Sequence, residues 1–210
     1  MDWSALAVSF KLALATSVIL FVTGIPLAAW FAFSRSRFLP YYEAFMLLPF
    51  VLPPTVLGYY LLVLMAPSQM AFSFTAILIG SSIINLPIAV QAFTEAFRSV
   101  DRSLIEGYLS LGATKPQTLF GLILRHSWSG VLSGLALAFA HVFGEFGVAM
   151  MIGGNIRGET RTMSIAIYDS VQSFNFEQAR TTALAQIVIC LFFLFVISFF
   201  RARNRRYLTM

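Results

Sequence analysis

Charge is what this sequence has least of: Asp, Glu, Lys and Arg make up 11% of its 210 residues, against about 25% in an ordinary globular chain. With 59% hydrophobic residues, most of its surface must face lipid rather than water, which excludes a soluble domain. Its formal charge of +5 does not point to nucleic acid, because the basic residues stand at the ends of apolar runs and not along one face. There is one cysteine, Cys190, inside such a run; it excludes an intrachain disulfide and reads as a small buried hydrophobe. No Gly-x-x-x-x-Gly-Lys-Ser/Thr loop is present, so the chain supplies no nucleotide chemistry. Clustered Cys/His ligands and paired carboxylates are also missing, so neither a catalytic nor a metal site is expected.

Long uncharged runs fill the space that charge leaves. Residues 12–34 and 181–200 carry no charge, 127–144 carry only His141 as a titratable group, and 44–94 form an uncharged stretch of 51 residues. A helix of that last length would run about 77 Å at the α-helical rise, more than twice a hydrocarbon core of about 30 Å. It must fold back, and Ala66-Pro67-Ser68-Gln69 is the natural turn. The chain therefore reads as an all-α membrane protein with five transmembrane helices, at about 10–33, 43–65, 71–96, 120–142 and 181–200. Of its 14 basic residues, ten fall on one side if the N-terminus is outside and the C-terminus cytoplasmic: Arg35, Arg37, Arg98, Arg102, Lys115, Arg125, Arg201, Arg203, Arg205 and Arg206. Only Lys11, Arg157, Arg161 and Arg180 fall on the other, which sets that orientation. The first span lacks a basic n-region and a small-x-small cleavage site, so it reads as a span and not a signal peptide. Residues 162–178 alternate apolar and polar positions and are too polar for a sixth span; a helix lying partly in the membrane on the outer side is expected.

Three segments carry information beyond topology. The loop at 98–119 holds Leu104, Ile105, Tyr108 and Leu111 at the spacing of one helical stripe, which outside the bilayer must bury against protein or lie on headgroups. Ser103 and Glu106 alone fit a capping box, with Gly112 as helix stop and Pro116 opening the next helix; that local reading leaves the stripe unexplained. Within the second span, Pro53 and Pro54 strip backbone donors at membrane depth, so that face is either a simple kink or packs on protein or a cavity; Gly58 follows. Glu145, followed by Phe146 and Gly147, is the carboxylate nearest the deep part of a span. An acid there is a functional candidate by default, unless it sits at the outer interface beside an arginine. Gly130, Gly134 and Ala138 form a small-residue ridge for close helix approach, within the bundle or between two copies. Ser133 and His141 lie about 12 Å apart along the helix axis and cannot form a nucleophile–base pair.

The loop resembles the cytoplasmic "EAA" loop of ABC importer permeases, with Glu106 and Gly112 in register and Leu122 and Leu124 at its apolar end. It departs from that pattern at Gly107, Tyr108 and Arg125. Leu52-Pro53-Pro54 with Gly58-Tyr59, and Gly144-Glu145-Phe146-Gly147 followed by Asn155-Ile156-Arg157-Gly158-Glu159-Thr160, resemble the molybdate permease subunits of that family. The resemblance runs over nearly the whole chain and implies a type I ABC importer transmembrane domain over 6–206, in a bacterial inner membrane. It further implies import of an oxyanion, molybdate ahead of sulfate or tungstate. The implied partners are a second copy of the chain, two ATP-binding subunits that use the ATP, and an extracytoplasmic substrate-binding protein. On that reading Leu104, Ile105, Glu106, Gly107, Tyr108, Leu111 and Gly112 dock the ATPase, while Pro53, Pro54, Gly58, Glu145, Phe146 and Gly147 line the pathway or its gate. Two other classes stay open: a secondary transporter, for which neither an inverted repeat nor a midplane acid pair is seen, and an assembly protein whose stripe binds something other than an ATPase.

Overall fold

A computed structural model describes the backbone of residues 2–207 and the side chains of residues 2–195. Helix α1 (Trp3–Phe33) starts at Asp2, whose carboxylate accepts from the N–H groups of Ser4 and Ala5 at 3.1 and 3.2 Å, satisfying two of the four donors that a helix start leaves free. Helices α2 (Leu39–Val51) and α3 (Pro54–Met65) follow, then a 3-10 turn at Ala66–Ser68 and α4 (Phe74–Arg98). The short α5 (Arg102–Ser110) and α6 (Lys115–Thr118) lead through a π-helical segment, Leu119–Ile123, into α7 (Leu124–Phe143). The chain ends with α8 (Gly147–Gly153), α9 (Met163–Gln172) and α10 (Phe176–Tyr207). Arg201, Arg203, Arg205 and Arg206 of the expected basic tail lie outside the residues whose side chains are described.

Among the described residues, four helices are long and apolar enough to cross a membrane, Trp3–Phe33, Phe74–Arg98, Lys115–Phe143 and Phe176–Phe195, and a fifth crossing exists if the bent pair of α2 and α3 counts as one. That pair differs from the single helix expected at 43–65. Leu52 and Pro53 leave the helical conformation, with ψ near 143° and 132°, and the two halves meet at 95°. The residue before a proline is pushed out of the α region, so two consecutive prolines enforce two such residues and the helix breaks instead of kinking.

The core is a sandwich of α1, α4 and α7. Each shows small residues where a neighbour comes close: a Cβ at Gly130 would stand 2.5 Å from the Ala96 Cβ, and one at Gly134 would stand 2.6 Å from the Ala92 Cβ. The ridge on α7 thus packs inside the bundle, against α4, resolving the two alternatives its spacing allowed. Four residues along α7 match four along α4 in the opposite direction, so the two helices run antiparallel in fixed register. Phe93, fully buried, fills the space between Gly134 and Gly24 of α1.

At the end of the bundle that holds Asp2, buried Arg161 reaches Asp2 at 3.6 Å and Asp169 of α9 at 2.6 Å. Asn155 donates to the same Asp169. The 154–162 loop, the start of α1 and α9 are thereby tied at one point. Because burial of a charge demands pairing, this cluster accounts for an arginine that is only 7% exposed.

Candidate functional site

Two sites are built at different levels of the bundle. The first is α5, the helix of the charged loop. Its start differs from the expected Ser103–Glu106 capping box: Asp101 is the cap, accepting from the Ser103 N–H at 2.9 Å, and Ser103 is already helical. This bond to the ionised form holds the Asp101 carboxyl below the usual carboxylate range. A full capping box stands one helix later, between Thr114 and Gln117, with Pro116 in the first turn. At the other end Gly112, at φ +88°, closes α5. The Ala113 N–H reaches the Tyr108 carbonyl at 3.4 Å and the Gly112 N–H reaches Leu109 at 2.9 Å, the paired bonds of a Schellman motif.

The apolar stripe of α5 is split between two directions. Ile105 packs onto the core cluster of α1, α4 and α7, and the Tyr108 hydroxyl lies 3.1 Å from where a Cβ at Gly121 would be, so Tyr108 rests on the π-helical segment. Leu104 and Leu111 point away from the bundle, Leu111 being 87% exposed, and nothing lies within 4 Å of a Cβ at Gly107. Leu104, Gly107 and Leu111, at spacings of three and four, form one open face; Glu106 is exposed beside it.

The second site gathers the residues expected in the pathway. Here α3 lies on α8 with almost no gap: a Cβ at Gly147 would stand 2.6 Å from the Pro54 Cβ, and one at Gly58 would stand 2.6 Å from the Met151 Cβ. The structure therefore brings Pro54, Gly58 and Gly147 together, with Pro53 at the break and Glu145 and Phe146 in the turn between α7 and α8. Phe146 leans on Tyr168 of α9, ring centroids 5.0 Å apart.

Glu145 is not at an interface beside an arginine. It is 7% exposed, has no ion pair among the described residues, and accepts from Asn85 Nδ2 at 3.3 Å. Its second oxygen has no hydrogen-bond partner, and the buried Ser81 hydroxyl faces the same carboxylate. Asn85 Nδ2 also donates to the Ser81 carbonyl at 2.8 Å, while Asn85 Oδ1 lies 2.8 Å from His141 Nδ1. A chain of three polar groups, Glu145–Asn85–His141, thus crosses from the α7–α8 turn through α4 to α7. Asn85 is roughly 16 Å from the start of α4 and roughly 20 Å from its end at the helical rise, so the chain lies near the midplane of the bundle. Neither Asn85 nor Ser81 was expected from sequence, and His141 was set aside; the available signal was the one asparagine in the uncharged run 44–94.

A crevice of about 570 Å³ opens between α2, α4 and α7, with Glu43, Gln91, Thr94, Glu95 and Arg98 at one end and Phe50, Pro87 and Leu137 at the other. Arg98 is held there by Glu43 and Glu95, both at 3.2 Å, and by the Phe31 carbonyl. Both carboxylates are partly exposed, so these pairs contribute little to stability. A larger crevice of about 680 Å³ between α9 and α10 is walled mainly by apolar side chains, with Ser164 and Gln186. It presents no charge, and the smaller crevice is the better site for a polar solute.

Comparison with known proteins agrees with this architecture. Residues 8–207 match the family model "Binding-protein-dependent transport system inner membrane component". The chain is 35% identical over 209 residues to the molybdenum transport system permease protein ModB of Azotobacter vinelandii, covering 93% of this chain and 92% of that one. It is 31% identical over 189 residues to its counterpart in Escherichia coli K12, with 82% and 81% covered. Among solved structures, the MetNI methionine ABC transporter superposes with a TM-score of 0.79 at 15% identity, covering 93% and 92% of the two chains. An amino acid ABC transporter does so at 0.71 and 19%, covering 95% and 92%. These relatives set aside the secondary transporter and the assembly protein. This chain is a multi-pass membrane protein with the fold of type I ABC importer transmembrane domains, and it belongs to the family of binding-protein-dependent transport system inner membrane components.

Proposed function

We propose that the chain is the membrane-spanning subunit of an ATP-driven importer for a tetrahedral oxyanion, molybdate before tungstate or sulfate. The observation that carries this reading is the 35% identity, over 93% of the chain, to a molybdenum permease. Two copies would enclose the pathway, and two ATP-binding subunits would sit below it and hydrolyse the ATP. A substrate-binding protein would deliver the anion at the Asp2–Arg161 end.

The N-terminus is placed outside and α5 in the cytoplasm, as the basic residues favour. Cysteines introduced at exposed Ser36 and Ser110 are expected to react with an impermeant maleimide only after the cytoplasmic side is opened. One at exposed Glu159 should react in intact cells. Labelling of Ser110→Cys from outside would reverse the topology.

The open face of α5 suits helix-in-groove docking on the ATPase. Motion there has a short route to the pathway, because Tyr108 rests on the π-helical segment and that segment runs on into α7. Such segments often mark functional hinges. Helix α7 carries His141 and ends two residues before Glu145, so a tilt of α7 would shift the α7–α8 turn against Pro54 and Gly58. The two ATP-biased states are then populations of one bundle with α3 and α8 closed or parted.

The experiment is uptake of labelled molybdate into proteoliposomes that contain the chain with its ATPase and binding protein. ATP-dependent accumulation competed by excess molybdate or tungstate, and less by sulfate, is expected. Accumulation insensitive to all three, or none at all, would refute the oxyanion reading.

A further inference from the structure

The chain Glu145–Asn85–His141 leaves one nitrogen free. Asn85 Nδ2 has two oxygen partners, the Ser81 carbonyl and Glu145 Oε2, so the amide orientation is fixed by its neighbours and Oδ1 must face His141. Oδ1 can only accept; His141 Nδ1 therefore carries the proton and donates, and Nε2 is the atom left over. The His141 side chain is exposed while Asn85 and Glu145 are buried. Phe50 of α2 flanks the ring at a centroid distance of 6.1 Å. Phe50 and Leu137, one turn before His141 on α7, both line the deep end of the 570 Å³ crevice, which puts His141 just past that end.

An imidazole with a buried carboxylate behind it is poorly placed against lipid, where ionisable groups normally face a bundle interior or a water-filled path. We propose that His141 Nε2 is an oxyanion contact within the pathway, with Asn85 and Glu145 as positioning residues. This rests on the importer reading given above. An arriving anion supplies negative charge in front of the ring and is accompanied by a proton from water, so that Nε2–H donates to an anion oxygen while Nδ1–H stays on Asn85. Arg98, at the other end of the crevice, is already engaged by two carboxylates and is not free for this task. The site is a single donor per copy, and two copies would present two. Such a contact holds an anion weakly enough to release it.

The test uses the complete transporter in proteoliposomes and lipid nanodiscs. His141→Leu should lower the molybdate uptake rate about tenfold or more, with ATP hydrolysis stimulated by the loaded binding protein largely retained. His141→Arg, which keeps a cationic donor, should restore most of the uptake. Because the sequence has two histidines, nitrogen NMR of a transporter reassembled from the histidine-labelled chain with unlabelled ATPase and binding protein resolves both, and millimolar molybdate should shift the His141 Nε2 signal but not that of His126. Parental uptake in His141→Leu, or a His141 signal indifferent to molybdate, would overturn the contact. If the parental transporter imports no oxyanion, the importer reading fails instead, and the NMR titration still decides whether His141 meets the anion.

Discussion

Leu111→Asp is expected to yield a chain that reaches the membrane at parental abundance, loses its ATPase on purification and supports no ATP-dependent uptake. Leu111 is 87% exposed at the end of α5, so its replacement removes almost no burial within the chain itself. Any cost must therefore come from a partner. Full burial of a leucine contributes roughly 1.5–3 kcal/mol, and every 1.4 kcal/mol is about tenfold in affinity. Aspartate adds an unpaired carboxylate to an apolar groove, which costs several kcal/mol more. Leu104→Ala, on the same open face, should weaken retention less, by about tenfold. Ile105 and Tyr108 serve as a contrast because they pack inward; truncating them should lower the stability of the chain as well as coupling. Measured retention of the tagged ATPase, set beside membrane abundance by immunoblot, separates these outcomes. If Leu111→Asp retains the ATPase and full uptake, α5 is not the docking element.

How much of this was legible follows from which constraints are local. Lipid imposes span length on composition directly, so 12–34 and 127–144 announced their helices. The fold-back near Pro67 was likewise written in backbone chemistry. The break at Leu52 and Pro53 was visible as two prolines, but its 95° angle was not, since it depends on Gly58 and Gly147 letting α3 lie on α8. Spacing to Glu106 made Ser103 the expected cap of α5, and the structure starts that helix two residues earlier, at Asp101. The stripe on α5 was real in spacing but could not say that Tyr108 turns toward Gly121 while Leu111 turns away.

The polar chain at the midplane shows the limit more sharply. Asn85 and Glu145 are 60 residues apart, and His141 meets Asn85 from another helix. Periodicity gives the buried face of α4 and of α7 separately, but not the register between them. The Gly130–Ala96 and Gly134–Ala92 contacts set that register, and once it is set His141 falls opposite Asn85. Reading it in advance would have required knowing that α4, and not a second copy, was the partner of the ridge.

Gly58→Leu and Gly147→Ala are expected to abolish most uptake while leaving the ATPase bound. At both positions a Cβ would stand 2.6 Å from a carbon of the facing helix, the Met151 Cβ and the Pro54 Cβ respectively. Neither neighbour is the free end of a flexible side chain: the proline ring is fixed to its backbone, and the Met151 Cβ is tied to α8. Overpacking of this kind typically costs 1–3 kcal/mol, and here relief comes from parting α3 and α8. The effect of Gly58→Leu should be the greater, because its branches must also pass Val148, whose Cα lies 3.6 Å from the added Cβ. A wedge there would hold the bundle away from its closed state, so ATP turnover should persist with little accumulation of anion. Gly144→Ala supplies the control from the same turn. Its nearest atoms stand at 3.7 Å or beyond, ordinary contact distances, and uptake should stay near the parental rate. α5 lies at the opposite end of α7 and should retain the ATPase in all three variants. Equal uptake in Gly58→Leu and Gly144→Ala would mean that the close approach of α3 and α8 has no part in transport, and the pathway would have to be sought elsewhere in the bundle.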